Sequence, residues 1–160
     1  MKVSDINMNG LYYHEPSHKY SRHDDLYWCQ NWTFKPYEYN GIIYMRDTYW
    51  SGGNGMVIEV DENNVDEFKL IFDWREVEQV NNYENLEEFG EKGKDWFIVC
   101  VDSGGMEYPK AFIRKGAKRN KDMVINRKEE EIKNLQRKIK DIKFYISMIE
   151  SGEIEPHDWE

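Results

Sequence analysis

Aliphatic residues recur along the last third of the chain at heptad spacing, the pattern that most restricts the possible folds. From Ile125 onward the intervals between them are 7, 3, 4, 3, 4 and 3 residues, which is the a/d repeat of a coiled coil. The repeat predicts a long helix over residues 117–152, which Asn120 or Asp122 can cap and Ser151-Gly152 can end. The tightest part of it predicts an oligomer seam of six residues: Ile132, Leu135, Ile139, Ile142, Ile146 and Ile149.

From about Lys121, where the period changes, the helix would run about 45 Å, so part of it must project or contact a partner. Lys128 occupies the d position between Ile125 and Ile132 and interrupts the seam. In a parallel dimer Lys138 of one copy would face Lys143 of the other, which is repulsive. An antiparallel homo-oligomer is therefore favoured, as is docking of the helix across the sheet, and both alternatives stay open.

Residues 1–116 instead show the alternation and the aromatic and β-branched content of strands. We expect strands at 26–34, 42–50, 56–60, 70–74, 96–101 and 107–114, and a short acidic helix at 83–89. Residues 75–80 either continue the strand at 70–74 or pair with it as a seventh strand. The predicted class is α+β, with a small curved antiparallel sheet or β-barrel of six to seven strands before the long helix. An acidic tail follows at 153–160. A chain of 160 residues is expected to form a single folded unit.

The strand sequences also predict how the sheet is arranged. Asn40-Gly41 is a turn signal, and it predicts a long-looped hairpin between 26–34 and 42–50. Residues 96–101 are apolar on both faces, which favours a central strand. Pro109 favours an edge position or a bulge for the strand at 107–114.

Charge is distributed unevenly along the chain. There are 22 Lys and Arg against 31 Asp and Glu, a net charge of -9, which excludes general attraction to nucleic acid or anionic lipid. Acidic residues concentrate within 59–91, where the bases are Lys69 and Arg75. Carboxylates spaced closely on a sheet can imitate the phosphates of a nucleic acid and occupy the basic groove of a protein that handles it. A solvated acidic face is the alternative. The predicted partner-binding residues, which we call the acidic band, are Glu59, Asp61, Glu62, Asp66, Glu67, Asp73, Glu76 and Glu78.

Aromatic residues are abundant, with 6 Trp, 11 Tyr and 7 Phe. The strands expected at 26–34 and 42–50 carry them on both faces, so some must lie outside the core. Exposed Tyr and Trp anchor protein interfaces and also stack on nucleotide bases. Core packing, a protein interface and a nucleotide site all stay open. A nucleotide pocket would use Trp28, Trp32, Arg46 and Trp50.

A histidine cluster offers the one metal-binding candidate. His14, His18 and His23, followed by Asp24 and Asp25, could converge on a divalent ion and support a metal-dependent hydrolase. Their spacing matches no named metal site, and Pro16 argues against a helix that would stack His14 on His18. A polar loop is the favoured interpretation. Since no catalytic motif is found, we expect a protein that is not an enzyme and has no cofactor.

The compartment is predicted from cysteine and hydropathy. Cys29 and Cys100 lie in apolar runs, which favours buried thiols and a reducing cytoplasm. No apolar run approaches the roughly 20 residues of a membrane span, so no membrane partner is expected.

The chain resembles small acidic accessory proteins of phages of AT-rich bacteria, many of which inhibit host defence. The resemblance rests on length, acidity, richness in Asn, Lys, Tyr and Ile, and a β-rich body with a Lys/Glu-rich terminal helix. It implies a non-catalytic inhibitor in the host cytoplasm that blocks a basic surface of a defence nuclease, as anti-CRISPR proteins do. Alternatively, it implies a sponge that sequesters a nucleotide second messenger.

Overall fold

The computed structural model describes residues 1–18, 33–48, 56–81, 84–99 and 110–155. The chain divides into two compact units, Met1–Lys118 and Arg119–Glu160. Strands fill the first and a long helix the second, which confirms the α+β class. The described strands are β1 (Gly10–His14), β2 (Thr33–Tyr39), β3 (Ile42–Asp47), β4 (Val57–Glu59), β5 (Phe68–Asp73), β6 (Val77–Val80), β7 (Trp96–Val99) and β8 (Lys110–Arg114), and the described α-helices are α1 (Glu15–His18) and α2 (Lys121–Glu150).

The larger sheet is antiparallel, with strand order β4-β3-β2-β1-β5. Its β2–β3 hairpin pairs Tyr39 with Ile42 across a two-residue turn. Both turn residues have positive φ, 50° at Asn40 and 76° at Gly41, as a type I′ turn requires. The expected long loop is therefore wrong, because the strand before the turn continues as far as Tyr39. Residues 26–32 of the expected strand lie outside the described residues.

The smaller sheet has the strand order β6-β8-β7. The expectation of a central β7 and an edge β8 is therefore wrong for the described sheet. Both faces of β7 are apolar because they meet different clusters: Phe97 packs with Phe72, whereas Ile98 packs with Leu86. The alternative, a bulge at Pro109, lies outside the described residues.

One cluster of apolar side chains joins the two sheets. Leu11 of β1 and Phe72 of β5 pack against Phe97 and Phe112 of the smaller sheet. A separate cluster that includes Phe34 lies within the larger sheet and its connections. Eight strands are described, against the six to seven expected, and within the described ranges the two sheets do not close into a barrel.

The long helix spans Lys121–Glu150, slightly less than the predicted 117–152. Its first turn is capped by Asn120, whose side chain accepts a hydrogen bond from the Met123 N–H at 3.1 Å. At the other end Gly152 has a φ of 78°, and its N–H donates to the Ile149 carbonyl, as the glycine of a Schellman motif does. The predicted caps are confirmed. Among the described helices, none combines the length and the apolarity that crossing a membrane requires.

Candidate functional site

One side of β2, β3 and β4 carries a set of aromatic, aliphatic and charged side chains, most of them exposed. Pairing across the strands aligns them in rows: Lys35, Arg46 and Val57; Tyr37, Tyr44 and Glu59; Tyr39 and Ile42. Residues directly opposite each other in antiparallel strands share a face, and alternate residues of one strand do too. The whole set therefore lies on one side of the sheet, and we call it the tyrosine face.

The tyrosine face lies opposite the side of these strands that contains Phe34 and Met45. Phe34 and Met45, which alternate with its residues, have no exposed surface. On the tyrosine face Tyr39 is 69% exposed, Val57 58% and Tyr37 48%. A cluster of large apolar groups in water is typical of a docking surface, and tyrosine is among the residues that most often dominate binding energy.

Two cations border this surface, and they differ in their surroundings. The Lys35 ammonium lies 4.6 Å from the centroid of the Trp74 ring, a cation–π contact. Arg46, opposite Lys35 on β3, is exposed. Arg46 is therefore the group on this face best placed to contact an anion.

Three carboxylates lie at the end of the edge strand β4 and in the hydrogen-bonded turn that follows it. Glu59 lies opposite Tyr44, and Asp61 and Glu62 come directly after it; all three are exposed. The Asp61 carboxylate accepts the Asn63 and Asn64 N–H groups at 2.8 and 3.1 Å, and the Asn64 side-chain amide donates to the Glu59 carbonyl at 2.7 Å. Glu59, Asp61 and Glu62, which we call the acidic turn, form no ion pair with any described residue.

Four other carboxylates of the acidic band are held by internal partners. Asp66 pairs with the Met1 ammonium at 2.7 Å, Glu67 with His14 Nε2 at 3.0 Å, and Glu76 with Arg114 at 3.0 Å. Asp73 accepts hydrogen bonds from Arg75 at 2.7 Å and Asn7 at 2.9 Å, which hold its pKa well below the usual range. Glu78 lies on β6, in the smaller sheet, and is exposed. The acidic turn is thus the compact, unpaired part of the band.

His14, the first residue of the metal candidate, lies inside the core. Its ring stacks on Phe68 with centroids 4.4 Å apart, and its two nitrogens contact Ser17 Oγ and Glu67 Oε2 at 2.5 and 3.0 Å. The polar-loop interpretation is wrong for this residue, because it ends β1 and is 5% exposed. Pro16 sits in the first turn of α1, where a helix needs no N–H from it.

Other predicted site residues fall largely outside the described ranges. These are His23, Asp24, Asp25, Trp28, Trp32 and Trp50, together with Cys29, Cys100 and the side chain of His18. Within the described ranges, no group of three His, Cys, Asp or Glu residues is placed to hold a metal ion. Of the nucleotide candidates, Arg46 is described, and it lies on the tyrosine face.

Tyr37 and Tyr39 were not predicted from the sequence, although a signal for them exists. Because Asn40-Gly41 favours a two-residue type I′ turn, a strand that begins at Ile42 requires a partner that ends at Tyr39. Lys35, Tyr37 and Tyr39 then fall on one face by alternation. Pro36 argues against a strand that continues through residues 35–39, because proline disfavours the interior of a strand.

One cavity of the first unit, about 240 Å³ in volume, lies near β5 and β7. Its walls are largely apolar, and burial lowers the pKa of Lys92 at this cavity. The lining residues are Tyr13, Lys69, Leu70, Ile71, Lys92, Gly93, Phe97, Ile98 and Val99. The volume is below the roughly 300–1,000 Å³ of drug-sized ligand sites, so the cavity is too small to enclose a dinucleotide.

Asp47, at the end of β3, is a buried carboxyl group that should make the stability of the fold depend on pH. It is 7% exposed, and burial raises its pKa from 3.8 to about 7. The folded chain therefore holds this proton more tightly than the unfolded chain does, and stability falls as the pH rises from about 4 to 7. Asp47→Asn keeps the neutral form, so we expect it to stabilise the protein at pH 8, on the order of 2 kcal/mol, and to change little at pH 4. Urea unfolding at both pH values measures this; equal effects at the two would contradict it.

Comparison with known proteins assigns the chain to no family. No family model matches it, and neither a curated protein nor a solved structure does. What the chain binds must therefore be inferred from the chemistry of the tyrosine face and the acidic turn.

Proposed function

We propose that the chain is a non-catalytic binding protein that docks its tyrosine face and acidic turn on a basic, nucleic-acid-handling surface of a host defence protein. The observation that carries the proposal is the exposure of Tyr37 and Tyr39 beside three carboxylates without an ion-pair partner among the described residues. By its resemblance to phage anti-defence proteins, the chain would act in the host cytoplasm.

The two parts of this surface have complementary roles. The acidic turn attracts a basic partner at long range and speeds encounter. The tyrosine rings then supply most of the binding free energy, because aromatic anchors lose little side-chain entropy and bury large areas. Charge alone would give a weak, salt-sensitive complex, so both parts are needed.

Charge reversal at the acidic turn tests the electrostatic part. We expect Glu59→Lys with Glu62→Lys to reduce capture of the partner from host lysate at least about tenfold, since like charges then face each other. Capture by the unchanged protein should fall as salt rises and should be competed by duplex DNA. The measurement is quantitative mass spectrometry of proteins retained on the immobilised chain.

Glu87→Lys with Glu91→Lys is the matched control for this experiment. Both residues are exposed and lie between β6 and β7, so this variant makes the same change in net charge away from the acidic turn. We expect it to retain the partner. If both pairs of substitutions reduce capture equally, the change in net charge alone explains the loss. Unchanged capture with Glu59→Lys and Glu62→Lys would contradict the proposed role of the acidic turn.

A nucleotide sponge is the second candidate, and the position of Arg46 favours it. Its guanidinium lies in the row next to Tyr37 and Tyr44, an arrangement that permits a base to stack while a phosphate contacts the cation. Heat denaturation of protein purified from host cells should then release an intact nucleotide, detectable by mass spectrometry. Arg46→Gln should abolish its retention. Protein that releases no nucleotide would exclude this candidate and leave the protein-binding proposal unaffected.

A further inference from the structure

The apolar stripe of α2 is exposed along its length. Ile132, Leu135, Ile139, Ile142 and Ile146 are between 49% and 57% exposed, although each is strongly apolar. The helix is continuous over 30 residues and capped at both ends, so the heptad positions stay in register. Such a stripe on a regular helix is the geometry of a coiled-coil seam.

The stripe is complementary to itself when two copies run in opposite directions. In antiparallel coiled coils a residues of one helix meet d residues of the other. With Ile132 at a, one alignment of two such helices opposes apolar residues along most of the overlap: Leu135 to the partner's Ile139, Ile132 to the partner's Ile142, and Ile125 to the partner's Ile149. This alignment uses nearly the whole length of α2.

Lys128 distinguishes the two directions. It occupies a d position, so a parallel, in-register dimer would place it against the partner's Lys128 inside the seam. The antiparallel alignment instead places it opposite the partner's Ile146. There its stem can cover apolar surface while the ammonium reaches water, and the two copies of Lys128 lie near opposite ends.

Flanking charges favour the same direction. In the antiparallel alignment Glu129 comes within one helical turn of the partner's Lys143, and this attraction occurs twice. The repulsion between Lys138 and the partner's Lys138 occurs once. A parallel dimer gains no such attraction and brings Lys138 to the partner's Lys143 twice. A second, antiparallel copy of the same helix therefore gives the best match both to the apolar seam and to the charged residues beside it.

We infer that this chain forms a homodimer through antiparallel pairing of α2. The occupant of the exposed stripe is the same stripe of a second copy, because that copy supplies matching apolar layers and the Glu129–Lys143 pairs. The inference is independent of the proposed function, since it uses no residue of the tyrosine face or the acidic turn. A dimer would present two copies of that face to partners.

Light scattering after size exclusion tests the association. We expect the mass of the full chain to be twice that of one copy, and Leu135→Asp with Ile139→Asp to halve it. The matched control, Asn126→Asp with Asn134→Asp, adds the same charge at positions b and c, outside the seam, and should remain dimeric. Near-ultraviolet circular dichroism of the first unit should be the same in all three proteins. A monomer at every concentration, or a trimer or tetramer, would overturn the inference.

Disulfide trapping tests the direction. Leu135→Cys and Ile139→Cys chains are oxidised separately and as a mixture, with the unmodified chain as the background for Cys29 and Cys100. The antiparallel dimer predicts a new crosslink only in the mixture, because residue 135 then meets residue 139. A parallel dimer would crosslink each variant alone, since equal residues face each other, and this result would overturn the antiparallel assignment.

Discussion

Phe72→Ala is expected to destabilise the Met1–Lys118 unit by about 4 kcal/mol. Phe72 is 1% exposed, and its ring centroid lies 5.0 Å from that of Trp74, 5.1 Å from Phe97 and 5.3 Å from Phe112. Truncation removes these contacts and leaves a cavity between two sheets that can close only partly. Urea unfolding followed by tryptophan fluorescence measures the loss.

Two further variants make this result interpretable. Phe72→Leu keeps most of the side-chain volume and should cost about 1 kcal/mol, so it stays measurable if the alanine variant does not fold. Phe144→Ala removes the same ring from an exposed position on α2, where Phe144 is 59% exposed, and should change stability by less than about 0.5 kcal/mol. Similar losses for Phe72→Ala and Phe144→Ala would contradict the shared core of the two sheets.

The arrangement of β7 and β8 shows where sequence patterns stop being sufficient. Residues 96–99 alternate between two apolar faces, and both faces are buried as expected. Burial on both faces does not require strand neighbours on both sides. In fact it requires only a covering layer on each face, and those layers come from distant segments such as Phe72 and Leu86. Local periodicity carries no information about them.

For the acidic band, too, the sequence shows where the residues are but not which partners they contact. The sequence locates its carboxylates, and their concentration within 59–91 is evident from composition alone. It does not show that Asp66 meets the Met1 ammonium or that Glu76 meets Arg114, because 65 and 38 residues separate these partners. Only the three-dimensional pairing distinguishes carboxylates that stabilise the fold from those of the acidic turn, which are available for a partner.

The long helix, by contrast, could be predicted almost completely. Its heptad repeat, its Asn120 cap and its terminal Gly152 are all local signals, and the structure contains each of them. Helix periodicity and capping depend on residues within a few positions of one another. The hairpin turn at Asn40-Gly41 was recognised for the same reason, although the length of its first strand was not.

Binding of a partner by the tyrosine face predicts that Tyr37→Thr with Tyr39→Thr reduces the affinity on the order of 100-fold. Each exposed ring is a candidate hot spot, and losing two removes roughly 3 kcal/mol or more of binding free energy. Threonine keeps the β-propensity of the strand, so unfolding free energy should change by less than about 1 kcal/mol.

Leu70→Thr is the matched control, because Leu70 is a 50% exposed apolar residue on β5, at the other edge of the same sheet. It should bind the partner as the unchanged protein does. The deciding measurement is capture of the partner from host lysate by the three proteins, with their urea unfolding curves recorded in parallel. Loss of capture confined to the Tyr37→Thr and Tyr39→Thr protein, at unchanged stability, is the predicted result. Equal capture by all three proteins would show that the tyrosine face does not bind the partner.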